Sequence, residues 1–216
     1  MSEASTPVNA EHFAYIAAHT SREDDFLKEL KRQAAVAGLP PIWIAPEQAG
    51  FLQILLRLAR ACEVVEVGTL AGYSAISMAR ALPPGGRVRT IEISAAYADF
   101  AEHWVRRSDV ADRIEIYRGD AKQVLPKFDS DSADAAFIDA DKESYPFYLR
   151  ECLRIVRRGG LILADNALAH GNILDARSAD PMVPMVRRFN EQMAKLKRLQ
   201  SIIVPLGDGC WVGVKD

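Results

Sequence analysis

Cys62-Glu63-Val64-Val65-Glu66-Val67-Gly68-Thr69-Leu70-Ala71-Gly72-Tyr73-Ser74 is the stretch whose reading decides the fold of this chain. A short, valine-rich run that breaks at glycine and resumes with helical spacing reads as a buried strand turning into a helix. Gly68 and Gly72 lack Cβ atoms, so other groups can approach the backbone of that turn closely. Toward the C-terminus the same unit repeats: helix 72–81, strand 87–93, helix 95–107, strand 113–118, helix 121–126, strand 134–139, helix 144–156 and strand 160–164. Strands separated by helices of this length imply βαβ units and a parallel sheet. A polar loop runs to about Asp180, followed by helix 184–196. Runs 199–205 and 210–215 flank Leu206-Gly207-Asp208-Gly209, whose residues tolerate positive φ, and should form a closing hairpin. Toward the N-terminus, residues 9–37 read as helix up to Gly38 and Pro40-Pro41, and a further helix covers 48–61 after Pro46. The expectation is an α/β fold, doubly wound, with a mostly parallel seven-stranded sheet and a C-terminal antiparallel hairpin. It is read as one domain, 1–216, with an N-terminal helical extension (1–45) on a core (46–216).

Composition admits this architecture and narrows the function classes. A chain of 216 residues at 49% hydrophobic can bury the core of one domain. The net charge of −2, from 29 acids against 27 bases, gives no electrostatic case for a nucleic-acid partner. The short basic clusters, such as Arg106-Arg107 and Arg157-Arg158, read as solvated helix faces and ends. Cys62, Cys152 and Cys210 have no metal-like or redox-like spacing. Cys62 and Cys210 lie in apolar runs and are expected as buried small hydrophobes. The first twenty residues lack a secretory apolar run, and nothing approaches the ~18 apolar residues of a membrane helix. These features point to the reducing cytoplasm, with neither nucleic acid nor membrane as partner.

Acidic or amide groups stand just past five of the apolar runs: Glu66, Glu92, Asp120, Asp139, and Asp165 with Asn166. In a strand–helix alternation the carboxyl ends of the strands line one sheet edge, where ligands bind. The glycine turn departs from G-x-G-x-x-G, whose second glycine lets a diphosphate sit on the helix N-terminus. An acid two residues ahead of Gly68 would repel a diphosphate but could receive the ammonium of an amino-acid-bearing cofactor, which favours S-adenosylmethionine over a dinucleotide. Glu92, closing the second strand, stands where ribose hydroxyls are held. Asp120 either binds an adenine amine or caps the next helix.

Asp139, Asp165 and Asn166 on adjacent strand ends would supply three oxygen ligands and no sulfur or nitrogen. That set suits Mg²⁺, with Mn²⁺ or Ca²⁺ as alternatives. Two carboxylates sharing one site would repel each other without a cation. The alternative is that Asp165-Asn166 starts a turn while Asp139 caps a helix. Lys142 is either an exposed first-turn lysine or, beside a cation and partly desolvated, a group able to act as general base.

The motifs EVGTLAGYSAISMA, GDA, IDADKESYPFY and LILADNALAHG, with the acid at Glu92, together resemble the metal-dependent O-methyltransferases of the catechol and caffeoyl-CoA type. The resemblance covers about residues 40–216 and implies a Rossmann-like fold. It implies cofactor contacts from Glu66, Gly68, Thr69, Ser74, Glu92 and Asp141, with Ala121 near the adenine; Asp120 and Asp139 are further candidate cofactor contacts from their strand-end places. Asp139, Asp165 and Asn166 match the metal ligands, Asp139 thereby taking part in catalysis, and Lys142 matches the catalytic base. Ala45-Pro46-Glu47-Gln48-Ala49-Gly50 is similar to the family's S-P-E-Q-G-Q stretch, which implies a backbone cofactor contact from Ile44 and no hydroxyl contact at position 45. The implied substrate is a small phenolic with two vicinal oxygens, and the implied assembly is a homodimer.

In the loop ALAHGNILDARSADP, Ala169 stands where the family carries an aromatic residue, which predicts a roomier mouth. His170 either contacts substrate or is a solvated loop histidine. Trp43, Trp104 and Trp211 are expected in the core or at a subunit contact rather than as a substrate platform. Two rival functions remain at this point: an NAD-dependent oxidoreductase, and a catalytically silent adenosyl-cofactor-binding protein.

Overall fold

In the computed structural model, which describes residues 6–216, seven strands form one sheet in the order β3-β2-β1-β4-β5-β7-β6. The strands are β1 (Glu63–Val67), β2 (Arg87–Glu92), β3 (Ile114–Arg118), β4 (Ala133–Ile138), β5 (Val156–Ala164), β6 (Leu199–Val204) and β7 (Cys210–Lys215). The first five strands pair in parallel, and β7 runs antiparallel between β5 and β6, as the hairpin reading expected. The helices are α1 (Ala10–His19), α2 (Asp25–Val36), α3 (Pro46–Leu58), α4 (Tyr73–Ala79), α5 (Ala95–Arg107), α6 (Ala121–Val124), α7 (Tyr145–Ile155) and α8 (Met182–Lys195). The first five residues of the expected N-terminal extension lie outside the described residues.

Strand alternation divides the apolar residues between two cores. Val64, Val88, Phe137 and Leu163 meet α2, α3 and α4 on one face through Leu27, Leu30, Leu52, Leu56 and Ile76. Val65, Ile91, Ile138 and Ile162 meet α7 and α8 on the other, through Leu149, Ile155 and Phe189. Because both faces are covered, the central strands are apolar almost throughout, which is why they read as runs rather than as alternation.

The sequence pattern missed where backbone chemistry outweighs periodicity. The single helix expected over 9–37 is two helices, because the Asp24 carboxylate accepts the Leu27 amide at 2.8 Å and starts α2 afresh. The helix expected over 121–126 stops at Val124, and a 3₁₀ turn carries Leu125–Lys127 around Pro126. Strand β5 begins at Val156, four residues ahead of expectation, with a register shift against Ala133 and Ala135 that absorbs Gly159 and Gly160. Gly159 has φ +75°, and a Cβ at Gly160 would collide with the Asp134 carbonyl oxygen. Cys62 is exposed rather than buried, because it precedes β1 at the sheet's far edge; Cys152 and Cys210 are buried.

The topology sets the site. Strand β1 lies between β2 and β4, so the chain order reverses beside it and a crevice opens beyond the strands' carboxyl ends. Val67 pairs with Ile91 and Ile138, and Ile138 pairs with Ala164. The next residue on each of β1, β4 and β5 is therefore Gly68, Asp139 or Asp165, all at one level of that edge.

Candidate active site

A cleft of about 970 Å³ opens along this edge. Its wall includes Ile44, Gly68, Thr69, Ser74, Glu92, Asp120, Ala121, Asp139, Asp141, Lys142, Asp165, Asn166 and His170. Of the cofactor, metal and catalytic residues expected from the sequence, only Glu66 is missing from the wall: it is completely buried, and neither carboxylate oxygen accepts a hydrogen bond. Burial pushes its carboxyl up to about 8.

In the half formed by β1, β2 and β3, most polar groups are already engaged. Glu92 Oε2 accepts the amides of Thr69 at 3.2 Å and Leu70 at 2.8 Å, while Oε1 accepts the Ser94 amide at 2.8 Å. Glu92 thus binds the glycine loop to the end of β2, a role the sequence reading did not foresee. The Thr69 and Thr90 hydroxyls meet at 2.6 Å. Gly68 has φ +102°, and a Cβ there would strike the Asp139 carbonyl oxygen, so glycine is what lets the β1 and β4 ends meet. Of the two readings of Asp120, the structure shows the cap: its carboxylate accepts the Lys122 amide at 2.8 Å.

The half formed by β4, β5 and the hairpin is crowded with charge. Burial raises the Asp139 carboxyl, and the Lys142 ammonium, 3.5 Å from Oδ1, pulls it back. Burial and repulsion from Asp139 push Asp165 up to about 7. Asp165 Oδ1 accepts the Gln48 side-chain amide at 2.6 Å. Lys142 Nζ also donates to the Tyr145 hydroxyl at 2.5 Å and to the Ala140 carbonyl at 3.0 Å. The Tyr145 hydroxyl lies 3.3 Å from the Ile138 carbonyl and 3.4 Å from that of Asp165, so its proton is shared between the two strand ends. Asp141 caps the turn Lys142–Ser144 through the Ser144 amide at 3.1 Å and accepts the Tyr148 hydroxyl at 2.5 Å. Asn166, at φ +63°, donates its side-chain amide to Asp208 at 3.2 Å.

Among the described residues, no three His, Cys, Asp or Glu side chains gather as a metal site. The expected set holds two such groups and completes itself with an amide. Its chemistry nevertheless fits a hard divalent ion: a half-buried and a buried carboxylate, both raised by desolvation, at adjoining strand ends, with an oxygen-bearing amide beside them. Buried like charges of this kind gain most from a cation.

Two expectations about the mouth are corrected. Ala169 is fully buried against Val183 and Val186, with Ile173 and Met182 packed on them, so its size governs loop packing rather than the width of the cleft. Trp43 lines the cleft, whereas Trp104 and Trp211 are core residues. Trp211 Nε1 donates to Asn190 Oδ1 at 2.7 Å. His170 stands at the wall with its side chain 60% exposed, Nδ1 lying 3.4 Å from Asp208. Sequence reading missed Gln48, Tyr145, Tyr148 and Asp208 as site residues. All four lay inside quoted stretches, but nothing in their spacing tells that they reach Asp165, Lys142, Asp141 and Asn166.

Comparison with known proteins bears on this geometry. The family model described as O-methyltransferase matches residues 17–215. A catechol O-methyltransferase of Niastella koreensis is 39% identical, the match covering 94% of this chain and 90% of the relative. A catechol O-methyltransferase of Mycobacterium tuberculosis is 35% identical, over 88% of this chain and 87% of its own. The solved O-methyltransferase of Bacillus cereus in complex with SAH superposes with a TM-score of 0.85 at 35% identity, covering 94% of this chain and 96% of the other. A match of this extent to methyl-transferring relatives decides against the dinucleotide oxidoreductase. Fold, strand-end acids and near full-length similarity agree, and the chain belongs to the O-methyltransferase family.

Proposed function

We propose that the protein transfers the methyl group of S-adenosylmethionine to one of two vicinal hydroxyls on a small catechol-like or caffeoyl-like phenolic, in a reaction that depends on a divalent cation. The observation that carries this reading is the pair of raised carboxylates, half-buried Asp139 and buried Asp165, with Lys142 beside them in the same cleft as the glycine loop. Asp139, Asp165 and the Asn166 side chain would hold the cation, Mg²⁺ by the hardness of the donors, with Mn²⁺ and Ca²⁺ as alternatives. Once bound, the cation would lower the pKa of a phenolic hydroxyl and orient it.

The chain's own residues divide the remaining work. The loop held by Glu92, with Ser74 at the wall and Asp120 and Ala121 at the β3 end, forms the cofactor side. The orphaned Glu66 carboxyl under the loop suits a nearby ammonium, which would stabilise its charged form. In its neutral amine form beside a bound cation, Lys142 would take the hydroxyl proton, and the Tyr145 hydroxyl and Ala140 carbonyl, at 2.5 Å and 3.0 Å, would hold the resulting ammonium. Trp43, Met182 and Met185 supply apolar wall for an aromatic ring. Holding both reactants in one cleft removes much of the entropic cost of an in-line transfer. Helix α1 buries none of its residues in its own chain, which supports assembly as a homodimer.

The test is a methyl-transfer assay against a panel of vicinal diphenols, with Mg²⁺ and with chelator. Methylated product only when cation is present is the expected result. Full activity in chelator overturns the cation dependence, and no product from any diphenol overturns the substrate class.

A further inference from the structure

The turn between β6 and β7 reads in the sequence only as a place where backbone bends. In the structure its acidic residue reaches into the site. Asp208 Oδ2 accepts the Asn166 side-chain amide at 3.2 Å and the His170 backbone amide at 2.8 Å, and lies 3.4 Å from His170 Nδ1. The backbones are tied as well: Leu168 donates to the Asp208 carbonyl at 2.9 Å and Ala167 to that of Gly209 at 2.8 Å. The segment so held contains three non-glycine residues in the left-handed region, Asn166 at +63°, Ala169 at +51° and His170 at +52°. Such conformations persist only where surrounding contacts over-determine them. The Asp208 carboxylate, 17% exposed, is the group on which these contacts converge.

A side-chain amide is two-faced: one end donates and the other accepts. A carboxylate only accepts, so the end of Asn166 facing Asp208 is the NH₂. The carbonyl oxygen is then left for the cleft that Asn166 lines. We propose that Asp208 is a positioning residue that selects the oxygen of the Asn166 amide, rather than its NH₂, as the face offered to a divalent cation. This rests on the reading that Asp139, Asp165 and Asn166 hold that cation. Without Asp208 the amide could rotate its NH₂ toward the site, where hydrogens in place of a lone pair would repel a cation. The distant hairpin thereby determines the character of a ligand that belongs to β5.

The experiment measures Mn²⁺ affinity by electron paramagnetic resonance and S-adenosylhomocysteine affinity by calorimetry, on the full chain. Asp208→Ala removes the accepting oxygen and should weaken Mn²⁺ binding by about 10- to 100-fold, the usual cost of losing a partner of a metal ligand. S-adenosylhomocysteine affinity should stay within about twofold, since the cofactor side lies on other strands. Asp208→Asn keeps one oxygen able to accept the Asn166 side-chain amide and the His170 backbone amide. Mn²⁺ affinity should be largely retained in it, and a loss equal to that of Asp208→Ala overturns the role of the accepting oxygen. Wild-type Mn²⁺ affinity in Asp208→Ala, with binding abolished in Asp139→Ala, overturns the role of Asp208 and leaves the cation reading standing. Absence of Mn²⁺ binding in the wild-type protein overturns the cation reading and this proposal with it. Loss of both ligands in Asp208→Ala and Asp208→Asn alike makes Asp208 a residue of the fold and overturns the proposal.

Discussion

The two halves of the cleft use the same residue type in opposite ways. At the ends of β2 and β3, Glu92 and Asp120 commit their oxygens to backbone amides of their own chain, which stiffens the loops beside the cofactor wall. At the ends of β4 and β5, Asp139 and Asp165 sit beside each other, raised by desolvation, and are offset chiefly by Lys142 and Gln48. Glu66 beneath the loop apart, the first half is built from hydrogen bonds that need nothing from solution. The second is an unbalanced cluster of charge whose best partner is a cation. One half is therefore expected to be insensitive to cation and the other governed by it.

The contrast breaks most visibly at the charged half. Asp165→Ala should lower cation-dependent methyl transfer by about 10³-fold, since a bound metal contributes several kcal/mol of charge stabilisation. S-adenosylhomocysteine affinity by calorimetry should be nearly unchanged, and an equal loss of both would show that the halves are not separate. Lys142→Met should reduce turnover by about 10²-fold, the lower range for a general base. The effect should fall on kcat rather than on the KM for S-adenosylmethionine. Unaltered turnover removes Lys142 from proton transfer.

The other half gives smaller effects of the opposite kind. Glu92→Gln turns one accepting oxygen into a donor facing backbone amides, so S-adenosylhomocysteine binding should weaken by about tenfold. Mn²⁺ binding should not change; a parallel loss there would contradict the division. A further effect is on stability. Glu66 and Asp165, at about 8 and about 7, lie above their unfolded values near 4. The folded protein therefore binds more protons than the unfolded chain between about pH 4 and pH 8, and these groups make stability fall as pH rises through that window. Thermal melts of Glu66→Gln should show a flatter profile, and Mg²⁺ should offset the share due to Asp165 only.

Much of this architecture is legible in the order of residues. The glycine turn at Gly68 to Gly72 and the apolar runs specify strands and order, because a parallel sheet covered on both faces needs continuous apolar segments. The acids closing those runs are visible for the same reason: a strand's end is where the apolar pattern stops. Helix breaks are less legible, since Asp24 starts a helix through a single hydrogen bond that periodicity does not encode.

Residue types and their order along the chain determined the fold class, the sheet edge and the row of acids upon it. Only the tertiary structure decided which acids are satisfied and which are not, because satisfaction depends on partners distant in sequence. Gln48 meets Asp165 across 117 positions, and Asp208 meets Asn166 across 42. Burial likewise belongs to the assembled sheet: Glu66 and Glu92 close neighbouring strands, yet one is orphaned beneath the floor and the other ties the loop together. Local sequence carries local propensity, whereas charge, desolvation and hydrogen-bond partnership arise when remote segments pack.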